Sequence, residues 1–299
     1  MSSLFSTKST EYVDYCKGVL RQSHYTTRLM ESSYRIFIDY MGDKNVEDYT
    51  INDIQMYSMR LSRRPGRGGN YSTSSMSSRL THIRRLFRQL AFEGCDVLNW
   101  QAIAVPHSQE HRLIYLKRDE YITLLHGINT NTFEGLRLRA CIEVLMSTGC
   151  RVSELLGMKM SNINLRRNEV IIRGAKNSGT SVVYLNQRSV YWLKKYLVER
   201  KKYWKGKDIL WISKQHGLAR LDDKSLWFQI NALKKRVHLT KDFSAHTLRH
   251  TFATNLLMNG ANIREVQELL RHKSIQSTMV YTHISNNDVK AAHRKYLKV

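Results

Sequence analysis

Apolar residues recur at helical spacing along almost the whole chain, and the period changes at one place, "NEVIIRGAKNSGTSVVYL" at 168–185. A period of 3.6 residues gives each helix one apolar stripe, whereas short β-branched runs around a turn suit paired strands. The expected fold is therefore mainly α with a small antiparallel β-sheet. In the first part of the chain Val13, Cys16, Val19 and Leu20 share a face, as do Tyr34, Phe37, Ile38 and Met41, and Gly42 ends that helix. Thr50 is placed to cap a third helix through Ile51, Ile54 and Met59, which "RRPGRGGNYSTSS" breaks. A fourth helix carries Met76, Leu80, Ile83, Phe87 and Leu90 on one face and Arg79, Arg84, Arg85 and Arg88 on its other side.

The stretch "GCDVLNWQAIAVPHSQEHRL" has weak periodicity around Pro106 and reads as a linker. Two domains follow: a helical one at 1–98, then a linker at 99–115 and a second domain at 116–299. In the second, 117–125 reads as an amphipathic helix with acids near its start, and "LRLRACIEVLMSTG" as a buried helix stopped by Gly149. Residues 170–172 and 182–185 form the hairpin signal, with Lys176 in its turn. Helical patterns return at 189–202, 224–237, "SAHTLRHTFATNLL" and "IREVQELLRH". No internal repeat or low-complexity segment interrupts this order.

Charge narrows the partners. The net charge is +23, from 48 Lys+Arg against 25 Asp+Glu, so the chain is drawn to polyanions: nucleic acid first, an anionic membrane surface second. The arginine-bearing fourth helix beside a Gly- and Ser-rich loop favours DNA contact by Arg79, Arg84, Arg85 and Arg88 over a merely solvated face. Hydrophobic residues make up 42%, enough for a sizeable core. No apolar run of about 18 residues is present to span a bilayer, and the N-terminus lacks a signal-peptide apolar core. The expected location is the cytoplasm, in association with the nucleoid. Cys16, Cys95, Cys141 and Cys150 form no C-x-x-C pair, and buried reduced thiols are expected rather than a zinc site.

Several catalytic signatures are missing: no G-x-x-x-x-G-K-[ST] loop for ATP, no G-x-S-x-G and no H-E-x-x-H. His246 and His250 stand four apart without an intervening glutamate or an obvious third ligand. No metal or other cofactor is expected there, and His250 reads as a packing residue. What remains is a scattered set: Arg151, Lys176, His246, Arg249, His272 and Tyr281. Transesterification at a phosphodiester wants such a set. Guanidiniums neutralise the extra negative charge of the pentavalent state, a nucleophile attacks in line, and an acid protonates the departing 5′ oxygen. Tyrosine suits a reversible link, because phenolate leaves readily and the bond energy is kept in the phosphotyrosine.

Alone, each of these residues is ordinary. In order, they resemble a known family. "STGCRVSELLGM" resembles the first-arginine box of tyrosine recombinases, the phage-integrase and Xer-like family. "RGAKNSGTSVVYL" is similar to the hairpin that carries that family's lysine, "HTLRHTFATNLL" to its H-x-L-R box, and "LLRHKSIQSTMVYTHI" to its histidine-and-nucleophile segment. The resemblance implies a helical core-binding domain followed by an α+β catalytic domain. It implies that Tyr281 forms a 3′-phosphotyrosyl link, that Arg151 and Arg249 hold the scissile phosphate, and that Lys176 protonates the leaving oxygen. His246 would assist proton transfer, His272 would hydrogen-bond a non-bridging oxygen, and Glu154, one turn after Arg151, would orient the site. Its partners would be double-stranded DNA with paired inverted binding sites and three further copies of the chain in a homo-tetramer, passing through a Holliday junction. Accessory DNA-binding proteins are further candidate partners, and the amphipathic tail "NNDVKAAHRKYLKV" would dock on a neighbouring protomer. No arm-binding domain is expected ahead of the first helix, so the form is compact and Xer-like. Two departures stand out: Arg271 replaces the usual glycine before His272, implying a different cap or a right-handed continuation, and Cys150 replaces an apolar residue. A type IB topoisomerase-like enzyme that relaxes supercoils without site choice, and a non-catalytic DNA-binding relative, are the competing functions.

Overall fold

The computed structural model describes residues 3–63, 71–106, 113–173, 179–204, 206, 208–214, 218–241, 243–272 and 274–281. The chain divides into two compact units, Met1–His111 and Arg112–Val299. The division falls inside the stretch expected to be linker. Its front half belongs to the first unit: Ile103 is fully buried in that core, and the Ser77 hydroxyl donates to the Pro106 carbonyl at 2.8 Å.

The first unit is built from α1 (Phe5–Gly18), α2 (His24–Met41), α3 (Ile51–Ser62) and α4 (Thr73–Phe92). Hydroxyls start three of them: Ser23 and Ser72 accept from Thr26 and Ser75 N–H groups, and Thr50 exchanges bonds with Asp53 in a capping box. Gly42 ends α2 at φ +79°, a conformation that costs glycine nothing. Helix α1 begins earlier than its apolar period at Val13 suggests, because Phe5 is itself a core residue and its N–H donates to the Lys44 carbonyl. Phe5, Phe37 and Tyr57 form the centre, with ring centroids 4.7 Å (Phe5–Phe37) and 4.9 Å (Phe37–Tyr57) apart.

The second unit runs α5 (Arg118–His126), α6 (Phe133–Thr148), α7 (Val152–Leu156), β1 (Ile163–Asn164), β2 (Glu169–Arg173), β3 (Thr180–Tyr184), α8 (Gln187–Tyr203), β4 (Ile212–Ser213), β5 (Ala219–Arg220), α9 (Asp223–Arg236), α10 (Ala245–Met258), α11 (Ile263–Leu270) and α12 (Gln276–Met279). Helix α6 is apolar on most of its circumference, so it is the central pillar, with α8 and α10 packed against it. Strands β1, β2 and β3 form an antiparallel sheet in which Val170 faces both Ile163 and Val183. Val170, Ile172 and Val183 point into the core. The hairpin tip that carries Lys176 lies outside the described residues. Strands β4 and β5 make a second, two-stranded sheet. Beside it Trp211 is fully buried, and its indole N–H donates to the Leu155 carbonyl at 2.9 Å. The fold is mainly α with small antiparallel sheets. None of the described helices is long and apolar enough to cross a membrane.

Candidate active site

The site is assembled where the end of α6 meets α10 and α11. Helix α6 stops at Gly149 in a left-handed turn (φ +57°). A Cβ there would stand 2.3 Å from the Phe252 ring and 3.1 Å from Leu270, so only glycine lets the 149–151 segment lie this close to α10 and α11. Two residues on, Arg151 is the N-cap residue of α7. The Glu154 carboxylate accepts its backbone N–H at 2.8 Å and its guanidinium at 3.1 Å. The second guanidinium on Glu154 comes from Arg271, at 2.9 Å. Glu154 is buried between the two, while the Arg151 side chain keeps 40% of its surface open to solvent.

Helix α10 contributes the next groups. His246 sits exposed on its first turn. Arg249 is buried and donates to two main-chain carbonyls, those of Gly149 and Leu270, the latter at 2.6 Å. Those bonds use two of its five N–H groups and fix the guanidinium between the end of α6 and the end of α11. His272 follows α11 directly, and its Nδ1 shares a 2.8 Å hydrogen bond with the Thr278 hydroxyl. Arg271 resolves the question raised by the missing glycine: it ends α11 in the left-handed conformation (φ 55°, ψ 45°), with no right-handed continuation. Its bonds to Glu154 and to the Leu269 carbonyl (2.8 Å) hold a backbone that an L-residue seldom adopts.

Tyr281 is 1% exposed, packed among Ala253, Leu257, Val266 and Leu270. Its hydroxyl lies 2.7 Å from Nδ1 of His250. Burial raises the tyrosine pKa, against a smaller opposing pull from Arg249. Burial also lowers that of His250, helped by His246 and Arg249. Both groups are therefore neutral near pH 7, and the phenol and the imidazole share a hydrogen bond whose direction is set by the histidine tautomer. His250, read from the sequence as a packing residue, is the hydrogen-bond partner of the tyrosine.

The charges are unbalanced by design of the fold. Arg151 and Arg271 share one carboxylate, Glu154, and Arg249, held on main-chain carbonyls, is near enough to feel all three charges. Burial, and then the neighbouring Arg151 and Arg271, lower the Arg249 pKa to about 10. For Glu154 burial pushes upward, yet the Arg151 N–H and the Arg271 guanidinium outweigh it and the net shift is downward. His272 is pushed down to about 4, by burial first and then by the three arginines, so it is a neutral imidazole at physiological pH. Such a cluster carries an excess of positive charge that suits an anion. Among the described residues no three His, Cys, Asp or Glu side chains converge to hold a metal ion.

Of the residues singled out in the sequence, Arg151, Glu154, Arg249 and His272 meet in this cluster, His246 stands at the start of the same helix as Arg249, and Tyr281 is turned into the core beneath. Lys176 and the tail at 286–299 lie outside the described residues. On α4, Arg85 and Arg88 are exposed and Arg84 is half-buried. Arg79, six residues before Arg85 and roughly opposite Arg88 around the helix, is half-buried and stacks on Tyr71 at 4.6 Å. Sequence reasoning missed three participants: His250, Thr278 and the pairing of Arg271 with Glu154. His250 lies on the stripe of Ala253 and Leu257, and a polar ring on a buried stripe needs a partner. That was the available signal.

A sequence model of the phage integrase family matches residues 115–288. Tyrosine recombinase XerD of Lacticaseibacillus casei is 33% identical over 227 residues, which cover 74% of this chain and 76% of that protein. Tyrosine recombinase XerC of Listeria monocytogenes is 27% identical over 294 residues, 96% of each chain. In fold, the chain is similar to the integrase of transposon Tn1549 solved in complex with a circular intermediate DNA, with TM-score 0.79 at 16% identity over 97% of this chain and 100% of that one. An enzyme that breaks and rejoins DNA strands is the class these likenesses define. The chain belongs to the phage integrase family, and within it is an Xer-type tyrosine recombinase that carries out site-specific DNA recombination.

Proposed function

We propose that this recombinase cuts each strand with Tyr281, forming a 3′-phosphotyrosyl link, and rejoins strands through a Holliday junction within a tetramer on two synapsed sites. The reading rests above all on one observation: the guanidiniums of Arg151 and Arg271 share the single carboxylate of Glu154, and that of Arg249 is fixed near them on the Gly149 and Leu270 carbonyls, at the point where Gly149 brings α6, α10 and α11 together. A scissile phosphate is the anion of the right charge and geometry for that cluster. Arg151 and Arg249 hold its non-bridging oxygens, and neutral His272 donates a further hydrogen bond. Glu154 fixes the arginines without touching DNA, Lys176 protonates the 5′ leaving oxygen, and His246 assists proton transfer. Charge neutralisation in the pentavalent state then falls to guanidiniums, and the energy for rejoining is held in the phosphotyrosine, so neither a metal nor ATP is needed. Substrates are duplexes with paired inverted binding sites, in integration or excision of a mobile element or in resolution of DNA dimers.

The experiment is covalent trapping. The protein is incubated with a library of nicked duplexes, the DNA retained through denaturation is sequenced, and the recovered site is rebuilt as a suicide substrate. The wild type yields a protein–DNA adduct on it, whereas Tyr281→Phe binds the same duplex and yields none. An adduct from Tyr281→Phe would remove Tyr281 from the role. Relaxation of plasmids that lack the recovered site would instead point to a topoisomerase.

A further inference from the structure

An oxygen that is to attack a phosphodiester in duplex DNA has to reach the surface, and the Tyr281 oxygen does not. The residue is 1% exposed, its ring lies among Ala253, Leu257, Val266 and Leu270, and its hydroxyl is satisfied by His250 at 2.7 Å. The phosphate-gripping side, by contrast, is open: Arg151 keeps 40% of its side chain in solvent and His246 is exposed. The segment that carries Tyr281 is short. Helix α12 has four residues and no side-chain cap, too few to persist on their own. What holds it are two bonds to histidines, Thr278 to His272 and Tyr281 to His250, plus burial of Thr278 and the tyrosine ring. A buried phenol hydroxyl without a hydrogen-bond partner is costly, so the imidazole of His250 makes the inward position of Tyr281 stable.

The geometry points to His250 as a positioning residue that latches the nucleophile: its Nδ1 holds the Tyr281 hydroxyl inside the α10–α11 core, and this bond parts before the tyrosine can reach a phosphate held by Arg151 and Arg249. The latch stands on the same helix as the clamp, one residue after Arg249. Cleavage is thereby made conditional on a rearrangement of the 274–281 segment, and the free protein carries its reactive group sheathed. In function this rests on Tyr281 being the nucleophile, but the latch is a property of the DNA-free chain and is measured there.

The full chain, without DNA, is treated with tetranitromethane at one pH, and nitration of individual tyrosines is followed by peptide mass spectrometry. Two tyrosines of the same chain serve as standards: Tyr25, 73% exposed, and Tyr196, fully buried in the second unit. In the wild type Tyr281 reacts far more slowly than Tyr25. In His250→Phe, which keeps a ring but removes the hydrogen-bond partner, Tyr281 reacts roughly fivefold faster while Tyr196 stays protected. In His250→Asn, whose side-chain amide can accept from the phenol or donate to it, protection returns to near the wild-type level. Unchanged protection of Tyr281 in His250→Phe, or equal reactivity in the Phe and Asn variants, overturns the latch. If phenylalanine disturbs the core enough to expose Tyr196, His250→Ala takes its place and the same comparison decides. On the suicide substrate His250→Phe forms the adduct at least as fast as the wild type, and a tenfold slower adduct would overturn the latch by making His250 part of the chemistry. An adduct from Tyr281→Phe would sink the nucleophile reading alone, leaving the nitration result to stand by itself.

Discussion

Three residues around Glu154 show how single side chains set this site. The carboxylate holds Arg151 and Arg271 at once and is almost fully buried, so removing its charge leaves two guanidiniums facing each other near a third. Because Arg151 is partly in solvent, the loss is smaller than for a fully buried pair: Glu154→Gln is expected to cost about 2 kcal/mol in urea unfolding and to slow covalent trapping by more than it weakens DNA binding. The sign with pH follows from the lowered carboxyl pKa. The contribution of Glu154 is fully present above the unfolded value near 4.5 and is lost as pH falls through the lower folded value. Arg271 offers a cleaner pair of variants. Both Arg271→Ala and Arg271→Gly lose the bond to Glu154, but only alanine keeps a Cβ in the left-handed conformation at φ 55°. The glycine variant should be the more stable by about 1 kcal/mol, and an alanine variant of equal or greater stability would contradict the cap. At Gly149 the order reverses: Gly149→Ala meets Phe252 at 2.3 Å as well as the left-handed turn, and a loss of about 3 kcal/mol is expected.

Among the elements, the pairing of α2 with α4 carries a buried titratable group. His82 on α4 shares a 2.9 Å hydrogen bond with the Ser33 hydroxyl of α2 and is 7% exposed. Burial, and then Arg85 and Arg79, lower its pKa from 6.5 to about 4. The unfolded chain therefore binds a proton between these values that the folded chain refuses, so stability falls as pH drops from about 6.5 toward 4, by about 3 kcal/mol for this group. His82→Gln keeps a hydrogen-bonding side chain without that proton. The gap in unfolding midpoint between wild type and variant should change across pH 4–6.5, and a constant gap would mean that His82 is not buried neutral. Elements of this size were legible in the sequence, because a 14- to 20-residue helix displays several turns of its apolar stripe and the β2–β3 hairpin displays two β-branched runs. Strands β1, β4 and β5 were not, since two residues show no period and these strands exist only through their partners. The site divides in the same way. Residue identity and order pointed to Arg151, Arg249, His272 and Tyr281, but the inward turn of Tyr281 onto His250, 31 residues away, depends on tertiary burial that spacing does not encode.

For the whole molecule, a charge of +23 sets how it meets DNA before any base is read. Phosphate contacts release counterions, so affinity falls linearly with salt on logarithmic axes, with a slope near −0.9 per contact. Six or more contacts imply a loss of about 10³-fold or more between 50 and 200 mM salt, measurable by fluorescence anisotropy on a duplex that lacks the recombination site. The four arginines of α4 are unequal in this respect. Arg85 is exposed, and its charge is available to a phosphate at the cost only of side-chain freedom, while Arg88 is exposed too, its guanidinium 5.5 Å from the Trp100 ring centroid in a looser contact than that of Arg79 with Tyr71. Arg79 is half-buried with its guanidinium on the Tyr71 ring, so engaging a phosphate would first break that stacking. Arg85→Ala and Arg88→Ala are each expected to weaken binding on any sequence and to reduce the salt slope by about 1, whereas Arg79→Ala should leave the slope unchanged and act through stability. The slope separates the two kinds of arginine where affinity alone would not, because a destabilised first unit also binds less but releases the same number of ions when it does. A reduced slope in Arg79→Ala would place that guanidinium on the DNA after all, and an unchanged slope in both Arg85→Ala and Arg88→Ala would take α4 out of the phosphate-contacting surface.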